Sequence, residues 1–231
     1  MATTQLPAPA AAASGAARRA AAGPRFGTPA SLACAVVAGP LWVAVSAAQA
    51  AAREGFEPTR HPLSALATGS LGWVQIANFV VAGVLIAAGA TGLRRALAGA
   101  VGGVWVPRLA RTAGFGMIAA GLLTMDPADG FPVGTRDGPP ETLSWHAIGH
   151  MAAGSVTFAA LIAAGFVLGR HYARQGRRGL AAASRTAATA LLVGNAWAMS
   201  GASGGALVLA VGASSMLIWL AAAAARLRRT A

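Results

Sequence analysis

The chain has 231 residues, 18 of them basic and 6 acidic, and it is 56% hydrophobic against 10% charged. A soluble globule could not hide that much apolar surface. The apolar runs are continuous, which excludes the alternating ~10-residue strands of a membrane barrel. What is left is a helical protein that crosses a bilayer several times.

Residues 1–29 are Ala, Pro and Gly with Arg18, Arg19 and Arg25, and no large apolar residue recurs at a helical period. They read as a disordered cytoplasmic tail. The first span is expected at about 30–52, with Pro40 inside it to kink it or loosen its backbone bonding. Ala48-Gln49-Ala50 would suit a signal-peptide cleavage site, but the apolar run exceeds the ~7–15 residues of a signal core, so a retained helix is expected. Cys34, in this span, is the sole cysteine, which excludes a disulfide within the chain. A loop follows, with the helix-like piece His61–Gly69, in which Pro62 suits a first helical position and Gly69 a stop.

The second span is expected at about 71–93, opened by the interfacial Trp73 and closed by Arg94 and Arg95. The third, at about 109–125, has Arg111 snorkelling back to the interface and ends at Asp126-Pro127. The remaining spans are expected at about 145–168, 180–199 and 204–225. The fold class is thus all-α, a polytopic six-transmembrane-helix bundle.

Six spans put both termini on one side of the membrane. Fifteen of the 18 basic residues, all arginine, fall on that side, and only Arg53, Arg60 and Arg136 on the other. All six acidic residues (Glu54, Glu57, Asp126, Asp129, Asp137 and Glu141) join the latter three. The positive-inside rule then makes both termini cytoplasmic. The arginines face anionic lipid heads, so the net charge of +12 is a topology signal rather than one for nucleic acid.

The opposite ends of the helices hold nearly all the polar groups with chemical potential. These are His61 and Ser64 in the first outer loop, Gln75 and Asn78 one turn apart on span two, Asp126 after span three, His146 and His150 on span four, and Asn195 on span five. A polar, histidine-bearing pocket at the extracytoplasmic face is expected, binding a lipid or small molecule. His146 and His150 lie four apart on a helix, the spacing that offers two imidazoles to one zinc ion. With Asp126 as third ligand, and His61 or Ser64 assisting, a metal-bound water could attack a lipid or envelope substrate. The other reading is structural: the histidines bond Asp126, Asn78 or backbone and fix the helix ends.

Three motifs, HPLSALATG after span one, MDPADGFP after span three and WHAIGHMAAG at the head of span four, resemble those of the family called domain of unknown function 998. The likeness covers about Ser31 to Arg229 and matches His61, Pro62, Ser64, Asp126, Pro127 and one of His146 and His150 to the family pattern. It implies six helices in a bacterial plasma (inner) membrane and carries no established activity with it. A fainter resemblance, to membrane hydrolases that include alkaline ceramidases, rests on a Ser, an Asp and histidines around zinc.

Overall fold

The computed structural model describes residues 27–230, which form six α-helices and one short 3-10 helix. The expected tail lies almost wholly outside these residues. The helices are α1 (Thr28–Ala52), α2 (Gly72–Ala96), α3 (Trp105–Leu122), α4 (Trp145–Arg174), α5 (Arg178–Met199) and α6 (Gly205–Arg228), with the 3-10 helix at Leu63–Ala67. α1 runs unbroken through Pro40. α3 starts four residues earlier than expected, because Pro107 sits in its first turn, where a missing N–H costs nothing. α4 continues past the expected end to Arg174, so its last turn carries His171 and Arg174.

Each helix packs antiparallel on its neighbours in sequence, and α6 closes on α1, so the six form a ring. Small residues set the helix spacing where a side chain would not fit. At the α2–α3 crossing a Cβ on Gly83 would stand 2.6 Å from the Gly114 carbonyl oxygen, and one on Gly114 equally close to that of Gly83. The core between the helices is mostly Leu, Ala and Met, including Leu32, Ile86, Leu161, Met216 and Leu220.

The outside of the ring is as apolar as the inside. Val84, Phe115, Leu122, Val156 and Val211 are all at least half exposed. Trp73 and Trp145 stand exposed at one end of the ring and Trp105 at the other, as interfacial tryptophans do. Helices α1, α2, α4 and α6 are long and apolar enough to cross a bilayer. This is a multi-pass helical membrane protein. α3 and α5 fall short of that mark. α3 has 18 residues, about 27 Å of helix against a ~30 Å hydrocarbon core, and carries Arg108 and Arg111. α5 carries Arg178 and Arg185. Arg111 does not simply reach for the interface: its Nη2 donates to Thr91 Oγ1 of α2 at 3.1 Å.

Candidate functional site

The eight polar residues singled out from the sequence all lie at the acidic end of the ring, but they form four separate arrangements.

The first is a hydrogen-bonded seam between α1 and α2. Gln75 is fully buried and its Oε1 accepts from Gln49 Nε2 at 2.7 Å, Asn78 Nδ2 at 3.2 Å and Ser46 Oγ at 3.4 Å. Its own amide donates to Ser46 Oγ at 2.9 Å and to the Leu63 carbonyl at 3.3 Å, which ties the 3-10 helix to the seam. Asn78 also donates to the Trp42 carbonyl at 3.1 Å. Ser46 and Gln49 escaped the sequence reading. A signal for them existed: both sit four and seven residues after Trp42, on the face that α1 turns to α2.

The second is a cap over the same end. His61 is 3% exposed and both ring nitrogens are engaged. Nδ1 accepts from the Glu57 N–H at 2.9 Å, which leaves the proton on Nε2 to be donated to the Asp129 carbonyl at 2.9 Å. Around it Phe56, Leu66 and Phe131 form a small core of their own. Arg53, at the end of α1, donates to the Leu66 and Thr68 carbonyls at 3.0 and 2.9 Å and lies 4.9 Å over the Phe131 ring. Burial lowers its pKa from the ordinary arginine value. Arg53, another residue the sequence did not single out, therefore rivets the cap down.

The third is the head of α4. Asp126 accepts from the Ser144 N–H at 2.8 Å and from Ser144 Oγ at 2.7 Å, while Ser144 Oγ accepts from the Ala147 N–H at 3.2 Å as an N-cap. These Ser144 hydrogen bonds, the hydroxyl's first, hold the Asp126 carboxyl below its usual pKa, with a smaller contribution from His146. His146 Nδ1 donates to the Thr124 carbonyl at 2.8 Å, and Ser144 Oγ lies 3.0 Å from the same nitrogen. With its hydroxyl hydrogen on Asp126, Ser144 is a cap rather than an activated nucleophile.

His150 belongs to the fourth arrangement. Its Nδ1 lies 2.7 Å from the Ala120 carbonyl and 2.8 Å from that of Leu123, two acceptors that require the proton to be on Nδ1. The last carbonyls of a helix, and those just past its end, lack the N–H partners that a following turn would supply. His150 and His146 supply the missing donors from the neighbouring helix. This overturns the expected zinc site of His146, His150 and Asp126. Among the described residues no three His, Cys, Asp or Glu side chains come together in a way that could hold a metal ion. The two histidines do share a helix face, but both Nδ1 atoms are committed to carbonyls at or just past the end of α3.

His150 also lines a cavity of about 300 Å³ inside the ring. Every helix contributes to its wall: Trp42 from α1, Phe79 from α2, Met117 from α3, Leu161 from α4, Asn195 from α5 and Leu217 from α6. Pro62, Leu63 and Ser64 of the cap line it at the acidic end. The wall is mainly apolar. Ser64 and Asn195 line it without a side-chain hydrogen bond to any described residue. The buried Trp42 indole N–H likewise lacks an acceptor among them. Of the eight residues, Ser64, His150 and Asn195 thus meet at the cavity, and His61, Gln75, Asn78, Asp126 and His146 do not.

Residues 36–226 match the family model described as "Protein of unknown function (DUF998)". The chain belongs to the DUF998 family. In this DUF998 protein the match takes in all four arrangements and every helix except the start of α1 and the last two residues of α6. No curated protein and no solved structure matches the chain.

Proposed function

We propose that the protein crosses the membrane six times with both termini in the cytoplasm, and that the cavity is a binding site, in the extracytoplasmic half, for a lipid or small apolar molecule with a polar head. α3 and α5 support the six-span reading because each closes the ring between helices that are themselves long and apolar enough to span. The charge alternation supports the orientation, since the arginine-rich end carries 15 of the 18 basic residues.

The observation that carries the binding reading is the cavity: about 300 Å³, apolar along its wall, with Ser64, Asn195 and His150 at one end. An apolar cavity of ~150 Å³ already takes up benzene, and small-molecule sites begin at ~300 Å³. The space suits a chain or ring of about a dozen heavy atoms and not a whole two-chain phospholipid. His150, with Nδ1 donating to backbone, leaves Nε2 for a ligand, while Ser64 and Asn195 offer donors and acceptors. Such a set orients a hydroxyl or carboxyl head.

Native mass spectrometry of protein released from mild detergent tests this. The wild type should carry one equivalent of a bound amphiphile. Ala210→Phe, which places a ring in the cavity from α6, should carry none while eluting as a folded species. A wild type that is empty, and whose melting temperature no added amphiphile raises, would refute the reading.

A further inference from the structure

The cavity does not have the same wall all the way round. At the arginine-rich end α4 and α5 lie tight together. A Cβ on Gly165 would meet the Ala188 Cβ at 2.8 Å, and one on Gly169 the Arg185 Cγ at 2.9 Å. Leu161, Ala164 and Leu168 are accordingly sealed. Toward the acidic end the same two helices part. Gly154 has no atom within 4 Å of where a Cβ would be, although it lines the cavity. Met151, Ser155 and Met199 line the cavity and are exposed on the outer surface as well, Met199 by 72%. No residue of α5 beyond Gly194 is buried. A residue that borders both the interior and the exterior is the rim of an opening. This one lies between two helices, on a side of the ring that faces hydrocarbon in the six-span arrangement proposed above.

Resting on the binding reading above, we propose that the site takes the acyl chain of a bilayer lipid, which enters sideways through the gap between α4 and α5. Three features point to this occupant. Pro62–Ser64 line the cavity at its acidic end, and the cap they belong to is held by Arg53 and the His61 contacts. The rim is made of Met and small residues, with flexible thioethers that adapt to a hydrocarbon chain. The polar groups Ser64 and Asn195 stand toward the acidic end, level with the headgroup of a lipid whose chain turns inward. A chain lying in this gap would keep its head near the interface and would not need to cross the cap.

The experiment uses the full chain in proteoliposomes containing a fatty acid with a diazirine near its methyl end, with photolabelled peptides mapped by mass spectrometry. Saturable labels are expected on residues 151–158 of α4, residues 195–199 of α5 and the cavity wall. Gly154→Trp, which the open space at that position accommodates, should cut the labelling rate about tenfold, as should Ser155→Phe on the exposed rim. Saturable labelling of the cavity wall at an unchanged rate in both variants would leave the binding site standing and overturn entry between the helices. No saturable labelling at all in the wild type would overturn both. Unlabelled α4 and α5, together with a wild-type dimer that Gly154→Trp converts to monomer, would show that a second copy covers the gap and would likewise overturn the proposal.

Discussion

Gln75→Leu removes the hub of the α1–α2 seam while keeping nearly the same bulk, so the outcome reports on hydrogen bonding rather than on packing. The side chain is 0% exposed. Gln49 loses its 2.7 Å acceptor and keeps only a 3.5 Å contact with the Val45 carbonyl. Leu63 loses the 3.3 Å tie that holds the 3-10 helix to α2. Ser46 and Asn78 are damaged less, because Asn78 still donates to Ser46 Oγ at 3.2 Å and to the Trp42 carbonyl at 3.1 Å. Side-chain hydrogen bonds inside membrane bundles average ~0.6 kcal/mol and reach ~1.7. One orphaned buried amide costs ~1–3 kcal/mol. The net loss is set at about 2 kcal/mol, most of it from the stranded Gln49 amide. Equilibrium unfolding of the purified protein in mixed micelles, titrated with a denaturing detergent, measures it. Asn195→Leu is the control, because that side chain bonds no described residue, and it should cost under about 0.5 kcal/mol. Adding Gln49→Leu to Gln75→Leu should recover part of the loss, since the orphan is then gone. A loss for Gln75→Leu no larger than that of the control would refute the seam as a source of stability.

Asp126 gives a pH signature. Its folded pKa lies below the ordinary carboxylate value, chiefly through Ser144, so the stability it brings is fully present above about pH 4 and drains away as pH falls through the lower folded value. Melting temperatures between about pH 2 and 6 should show this acid limb in the wild type and a flatter one in Asp126→Asn. Arg53→Lys keeps the charge but loses the planar fork that reaches both the Leu66 and Thr68 carbonyls and stacks on Phe131. It should destabilise the cap by about 1–2 kcal/mol and speed amide exchange over residues 63–68, with helix α6 unaffected. Orientation is tested in a Cys34→Ala background with single cysteines at Asp137 and Arg174, both exposed and at opposite ends of the ring. A membrane-impermeant maleimide should label the Asp137 position in intact cells and the Arg174 position only after lysis. The reverse pattern would invert the topology.

The place of each helix along the chain was legible in the sequence, and direction around each helix was not. Apolar runs and the charges that bound them give every helix its approximate limits, so the acidic end could be assembled on paper from residues as distant as His61 and Asn195. The azimuth is another matter. In a soluble protein the polar face of a helix marks its outside. Here lipid lies outside and Leu, Ala and Gly within, so the two faces of α1 or α6 carry nearly the same chemistry. That is why Gln75 and Asn78 were assigned to a pocket and turned out to face α1 instead. The metal expectation failed for a related reason. The spacing of His146 and His150 does place two rings on one face, but a spacing carries no information on what the facing helix needs. The carbonyls of Ala120, in the last turn of α3, and of Leu123 and Thr124, just past it, take the imidazole protons that were free on paper.

The ring also has a parity. Because α6 rests on α1, and Arg228 Nε donates to the Pro29 carbonyl at 3.1 Å, the entrance of the first helix and the exit of the last lie side by side. A short linker joining them would make a closed loop of six antiparallel rods that can be reopened at any of its turns. Cutting before α3 or α5 returns both new ends to the arginine-rich face and leaves each helix pointing as it did. Cutting before α2, α4 or α6 puts both new ends on the acidic face, so that in the proposed orientation the new ends must cross the membrane if the arginine loops are to stay where they were.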